Sequence, residues 1–316
     1  MARGAVEERQ KSALRAVGGG PLVVGIPAHN EERSIARVVM KAKEYTDKVV
    51  VCDDGSSDLT GAIAEALGAE VLRHEENCGY GVALQSLFDK ARELEADVLV
   101  TFDADGQHRA EEIPSLVKPL LQGEADVVIG SRLLDEHRGA KVGAWYRRAG
   151  VKLITKVSNV ASEFRLKDAQ SGFRAYNCHA LNCLSVSEEG MGASVEILLQ
   201  AKKHGLRVKE ISATCNYKDV ENSKNPVRHG ASVLMSLFKL VVEDKPLACL
   251  GLPGVISLGL GIFFSIWTLH SYTVQHRIVT NLALAAMAFV LIAFFFLSTA
   301  ITLYAIQRVE ERMKPS

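Results

Sequence analysis

The chain has 316 residues, 48% of them apolar, and 37 basic side chains balance 37 acidic ones for a formal net charge of zero. That length holds one large domain or two smaller ones, and the neutral balance leaves no electrostatic footprint for nucleic acid, so an anionic partner has to be met by local clusters. The six cysteines, at 52, 78, 178, 183, 215 and 249, show no C-x-x-C spacing and the polar opening stretch holds no secretory apolar run, so they are expected to be reduced and cytosolic.

Residues 1–20 read as a flexible N-terminal segment. From Pro21 to Arg132, LVVGIP, KVVVCDD, EVLRH, DVLVTFD and DVVIGS predict strands, separated by helices near 31–44, 57–67, 80–95 and 110–122. The alternation predicts an α/β domain with a mostly parallel sheet flanked by helices, which gathers ligand-binding residues at the carboxyl ends of the strands. At the first of these ends, PAHNEE (27–32) opens a helix that Asn30 or a neighbour caps, and its free amides suit an anion or a polar ligand edge. At the second, CDDGSSD (52–58) offers carboxylates suited to the N–H donors of a base or the hydroxyls of a ribose. No G-x-G-x-x-G and no G-x-x-x-x-G-K-[ST] occurs to cradle phosphates.

DADGQH (103–108) ends the fourth strand. Side chains two apart in an extended segment face the same way, so Asp103 and Asp105, with the Gln107 amide oxygen, are expected to converge on a hard divalent cation that neutralises a diphosphate. Without a cation the two carboxylates repel, and one is pushed toward protonation.

After Arg132 a polar loop, DEHRGAKVG, leads to a helix near 144–162 that opens with Trp145, Tyr146, Arg147 and Arg148. A turn and strand follow in DAQSGFRAY, then a helix over 194–205, the strand VKEISATCNY and a loop, KDVENSKNPVRHG, that reads as mobile. Residues 21–228 are thus taken as one domain, and 229–245 as an amphipathic helix that lies in a membrane interface or packs on the sheet domain. Leu247–Ser271 and Ile278–Ile306 contain no Asp, Glu, Lys or Arg, and each is long enough to cross the hydrocarbon layer. They predict two transmembrane helices within 246–306, followed by a cytoplasmic tail at 307–316. Lys239, Lys245, Arg308, Arg312 and Lys314 flank the spans, whereas the connection carries only Arg277 with two histidines, so both termini are expected on the cytoplasmic side of the cell membrane.

Taken in order, IPAHNEE, VVCDDGSSD, DADGQH, VIGSR and DAQSGFRAY resemble the inverting family 2 glycosyltransferases of GT-A fold, and more narrowly the polyprenyl (dolichyl) phosphate mannosyl- and glucosyltransferases. The resemblance covers about residues 21–230 and departs at His29, where relatives often carry tyrosine, and at Arg109, where proline is common. It implies that Pro27, His29, Glu31, Val51 and Asp53 contact the nucleotide, that Asp103, Asp105 and Gln107 hold Mg2+ or Mn2+, and that Ala104 lies against the nucleotide sugar. Arg132, Lys218, Lys224 and Arg228 would face the donor phosphates; Arg147 or Arg148, with Ser171 and Arg174, would face the acceptor phosphate. Asp105, Arg132 and Asp168 are the expected catalytic set, Asp168 orienting the site or assisting as a base.

The implied partners are a nucleotide sugar (GDP-mannose or UDP-glucose), a polyprenyl or dolichyl phosphate and membrane lipid, and hairpin spans are also suited to homo-oligomers. A processive polysaccharide synthase is disfavoured because neither Trp145 nor Trp267 follows an arginine, as a Q-x-x-R-W motif requires. The remaining alternative is a non-catalytic membrane scaffold that binds the nucleotide sugar.

Overall fold

Successive residues of the central strands enter two different cores, which is why those strands read as continuous apolar runs. The structure, a computed structural model, describes residues 20–46, 48–134, 164–190, 192–214, 246–276 and 279–313, together with 155–156, 158–159, 162 and 242. Seven strands, β1 (Leu22–Ala28), β2 (Lys48–Asp53), β3 (Glu70–Arg73), β4 (Val98–Thr101), β5 (Val127–Ser131), β6 (Arg174–Asn177) and β7 (Val208–Ser212), form one sheet in the order β3-β2-β1-β4-β6-β5-β7. Only β6 runs against its neighbours, β4 and β5. The expectation of a mostly parallel sheet therefore holds, with the DAQSGFRAY strand as the inserted antiparallel member.

On one face Val24, Ile26, Val49, Val51 and Val100 pack against α1 (Ile35–Lys43), α2 (Thr60–Ala66) and α4 (Ile113–Leu121). On the other, Val23, Val50, Leu99, Val127 and Tyr176 pack against α3 (Tyr80–Glu93), α5 (Cys178–Cys183) and α6 (Ala193–Lys203). Each fully buried Val, Leu or Ile contributes about 1.5–3 kcal/mol, so the two cores fix the sheet and hold its carboxyl edge rigid.

The first and fourth strand ends differ from the sequence expectation. α1 starts at Ile35 rather than near 31, and Ser34 precedes it without a side-chain cap. Asn30, at φ 55°, instead accepts the Ser57 N–H at 2.9 Å, joining the loops after β1 and β2. β4 stops at Thr101, so Asp103 and Asp105 lie in the turn beyond it, not on a strand.

The β5–β6–β7 edge is closed by Asp126, which accepts hydrogen bonds from Arg207 N at 2.8 Å, Arg207 Nε at 3.0 Å, Arg207 Nη2 at 2.9 Å and Asn177 Nδ2 at 3.0 Å. The Arg207 hydrogen bonds outweigh burial and hold this carboxyl well below the usual carboxylate range. Such a group stabilises the fold above its unfolded pKa of about 4, and the contribution fades as pH falls toward the folded value. Asp126→Asn is therefore expected to cost about 1–2 kcal/mol at pH 7, and thermal unfolding should show the gap from wild type closing in acid.

The C-terminal helices form a second unit. A π-helical turn, Leu247–Gly251, leads into α7 (Leu252–Gln275), and α8 covers Thr280–Met313. The apolar windows Leu247–Val274 and Thr280–Val309 have mean hydropathy 2.1 and 2.5, and only 22% and 17% of each is buried within the chain. A soluble core pair would bury most of that surface, so the exposed flanks suit lipid. The two helices meet through small residues: a Cβ on Gly261 would lie 2.7 Å from Val290, one on Gly254 2.9 Å from Leu297, and Ser257 Oγ donates to Phe289 O at 2.8 Å.

Candidate active site

Parallel pairing sets Ala28 beside Asp53, so the residues that follow, His29 and Asp54, emerge together from the sheet. His29 Nδ1 lies 2.8 Å from the Asp54 carbonyl. The Asp54 carboxylate turns to the next loop, accepting the N–H groups of Cys78 at 2.9 Å and Gly79 at 2.8 Å, with His74 Nδ1 at 2.7 Å. These bonds account for the close approach of Asp54, His74 and Cys78. Gly79 has φ 99°, and a Cβ there would lie 2.4 Å from Glu189 O, so glycine alone lets α3 begin against this wall.

On the far side, Thr101 Oγ1 donates to Gly172 O at 2.6 Å, tying the end of β4 to the turn before β6. The chain then reverses through Gly106 at φ 69°, and this turn carries Asp103, Asp105 and Gln107 into one wall. Gly172 seals it: a Cβ at that position would lie 2.4 Å from Asp103 Oδ1. Between the two sides is a cavity of about 530 Å³. Pro27, His29, Glu31, Asp54 and Asn77 line it from β1 and the loops after β1, β2 and β3, and Asp103, Ala104, Asp105, Gln107, Arg132 and Gln170 from the loops around β4, β5 and β6.

Two carboxylates facing one cavity shift apart in acidity. Burial raises Asp103, but His108, whose Nε2 is 3.3 Å from Asp103 Oδ2, and then Arg132 and Arg174 outweigh it and hold the group below the usual range. Burial and the Asp103 charge push Asp105 up to about 6. Gln107 answers part of that repulsion by donating its backbone N–H to Asp105 Oδ1 at 2.9 Å and its amide N–H to Oδ2 at 2.6 Å. Two acidic oxygen donors and an amide in one wall suit a hard divalent cation. The Tyr80 phenol, also facing the cavity, is raised by burial and by Asp103, and so stays a neutral donor.

Arg132, beyond the end of β5, is gripped by Asp168 through Nε to Oδ2 at 2.6 Å, Nη2 to Oδ1 at 2.8 Å and its backbone N–H at 3.2 Å. Asp168 is fully buried; burial pulls it up, but Arg132 prevails and holds the carboxyl below the usual range. These bonds commit both oxygens of the carboxylate to Arg132, which lines the cavity.

Four other expected site residues lie outside the cavity lining. Val51 is a core residue, and Asp53 turns toward Gly61, where a Cβ would lie 2.2 Å from its Oδ2, because β2 alternation points both to the α1–α2 side; Asp54 lines the cavity instead. Ser171 is fully buried and outside the cavity lining. Arg174, only 2% exposed, donates to Ser171 O at 2.8 Å, Ser194 O at 3.0 Å and Ala169 O at 2.6 Å, so its guanidinium holds the turn rather than a phosphate. Arg147, Arg148, Lys218, Lys224 and Arg228, the helix near 144–162 and the 229–245 helix lie outside the described residues.

Asn77, Tyr80 and Gln170 are cavity residues that the strand-end reading missed, whereas Asp54 is among the CDDGSSD carboxylates it offered. The glycines of NCGYG hinted at a tight approach there; nothing local singled out Gln170.

The model of the family described as "Glycosyl transferase family 2" matches residues 23–184. A UDP-N-acetylglucosamine–dolichyl-phosphate N-acetylglucosaminyltransferase from Methanococcus voltae is 32% identical over 61% of this chain and 85% of its own. A polyprenol monophosphomannose synthase from Mycolicibacterium smegmatis is 30% identical over 69% of this chain and 84% of its own. Among solved structures, glucosyl-3-phosphoglycerate synthase from Mycobacterium tuberculosis, with Mn2+, UDP and phosphoglyceric acid, superposes with a TM-score of 0.58 at 21% identity, covering 74% of this chain and 82% of that one. At that identity the likeness concerns the fold.

Proposed function

The chain belongs to glycosyltransferase family 2 and has the GT-A fold, and from that premise we propose that it transfers one hexose from a nucleotide sugar to a polyprenyl or dolichyl phosphate at the cytoplasmic membrane face. The observation that carries the reading is the convergence of Asp103, Asp105, Gln107 and Arg132 on one cavity that His29 and Asp54 also line. A nucleotide diphosphate needs both: donors and acceptors for the base and ribose, and positive charge for the phosphates. The names of the two relatives supply the acceptor class, and their different sugars leave the hexose as the open variable.

Asp103, Asp105 and Gln107 would hold a Mg2+ or Mn2+ ion, and the metal-bearing structural relative supports that reading. Such an ion, when bound, neutralises charge on a departing diphosphate. Arg132 adds a guanidinium aimed by Asp168, which stabilises the same developing charge. The attacking group is an oxygen of the lipid phosphate, ionised near neutral pH. It bonds to the anomeric carbon from the face opposite the diphosphate, the carbon–oxygen bond to the leaving group breaks with its electron pair on the diphosphate, and configuration inverts. No strong general base is required, in keeping with an Asp168 whose carboxylate is spent on Arg132. The two apolar helices suit an enzyme whose acceptor keeps its chain in lipid.

The test is a donor screen of the full chain in lipid with a short polyprenyl phosphate and Mg2+ or Mn2+, reading glycolipid by mass. One hexose per lipid and loss of product on chelation are expected; nucleotide-sugar binding without product would favour the scaffold. Because protons compete with a cation for Asp105, whose carboxyl burial and the Asp103 charge push up to about 6, cation affinity measured by calorimetry should fall as pH drops through that region, and binding should release protons.

A further inference from the structure

Two side chains of the cavity lining, His108 and Gln170, lack what buried polar groups have. Gln170 lines the cavity, and its Nε2 is buried with no hydrogen-bond partner. Buried polar groups are paired in the great majority of cases, and an unmet donor is destabilising. The other orphaned side-chain atoms among the described residues are His108 Nδ1, Ser171 Oγ and Tyr176 OH. Ser171 and Tyr176 do not line the cavity, and His108 is engaged by Asp103 at Nε2 and stacked on Phe173 with ring centroids 5.1 Å apart. Of the two lining side chains, Gln170 is the one whose carboxamide can turn to offer either an N–H or an oxygen to whatever fills the cavity.

Its location limits what that is. Gln170 sits in the turn held at one end by the Asp168–Arg132 pair and at the other by Gly172, packed against the Asp103 carboxylate. Gln170 precedes β6, which borders β4 on the side away from β1 and β2, the strands that lead into His29 and Asp54. A nucleotide sugar whose diphosphate lies at Asp103 and Asp105 carries its hexose next to that turn. The group that meets Gln170 is then a ring hydroxyl, which can accept from the amide N–H or donate to the amide oxygen, so either orientation of the carboxamide serves. We propose that Gln170 is a specificity-determining residue that hydrogen-bonds a hydroxyl of the transferred hexose. The proposal rests on the glycosyltransferase reading above and deepens it.

A site built around a hydroxyl discriminates strongly against analogues lacking it, because the protein group is then left unpaired. Gln170→Leu keeps side-chain volume and removes both polar atoms. The experiment is calorimetric binding to the full chain in lipid nanodiscs with Mg2+, using GDP-mannose and UDP-glucose against sugar-free GDP and UDP. For the nucleotide sugar that wild type binds, Gln170→Leu is expected to weaken affinity about 10-fold and to leave the matching sugar-free nucleotide within about twofold, which also reports an intact fold. In a series of monodeoxy donors, one deoxy position should bind wild type and variant equally. Equal losses for sugar and sugar-free nucleotides, no loss at all, the same deficit at every deoxy position, or a wild type that binds the sugar-free nucleotides as well as the sugars would each overturn the proposal. Wild type that binds the hexose donor but forms no glycolipid would defeat the transferase reading while leaving the Gln170 comparison decisive, because binding needs no turnover.

Discussion

Asp105→Asn is expected to lower glycolipid formation by on the order of 10²–10³-fold while raising the melting temperature of the metal-free protein. Both effects have one origin. Asp105 shares a cavity wall with Asp103, and burial together with that neighbouring charge pushes its carboxyl up to about 6. In the metal-free protein near neutral pH the Asp105 charge is thus held against burial and the Asp103 charge, and removing it relieves about 3 kcal/mol. The folded pKa lies above the unfolded one, so this cost is fully present at pH 7 and disappears as pH falls below about 4, where Asp105 is protonated in both states. The thermal gain of the variant should shrink over the same window. Function moves the other way, since an amide is a weaker donor to a hard cation than a carboxylate. Normal turnover by the variant, or a variant less stable than wild type at pH 7, would contradict the assignment of this acidic pair.

The second large effect is an asymmetry within the Arg132–Asp168 pair. Arg132→Ala should cost about 3–5 kcal/mol of stability, because it strands a carboxylate that has no exposure at all. Asp168→Ala should cost less, since the Arg132 side chain is 21% exposed and can keep water on its guanidinium. In the wild type Asp168 sits below its ordinary range, so its contribution is lost as the protein is acidified. In Arg132→Ala the same group, buried and unpaired, moves above that range, and the deficit shrinks in acid because a neutral carboxyl is cheap to bury. Thermal unfolding in detergent from pH 7 to pH 4 should therefore show the two proteins converging. Both substitutions should depress kcat for transfer, Arg132→Ala through loss of the cation and Asp168→Ala through loss of its aim.

Most of the architecture was legible in the residue pattern. Uninterrupted apolar runs such as VLV at 98–100 predicted buried strands, and they lie between two helical layers, each taking alternate residues. Charge-free runs of membrane length predicted the two C-terminal helices, which emerge at nearly the expected bounds. DADGQH was read as a cation site for a reason that needed correction: the acids meet through a glycine turn past the end of β4, not through strand alternation.

What local pattern could not reveal was direction. Asp53 and Asp54 are adjacent and identical in kind, yet β2 sends the first toward α2 and the sheet edge frees the second to clamp the 76–79 loop and face the cavity. Within DAQSGFR, the residues with obvious chemistry, Asp168, Ser171 and Arg174, are buried, and the unremarked Gln170 meets the ligand space. By itself the sequence determined composition, periodicity and span length, because these follow from each residue's own polarity and its near neighbours. The choice of which polar side chain faces the ligand fell to tertiary structure, since burying a guanidinium or a carboxylate requires carbonyls and counter-charges that distant segments alone bring into reach.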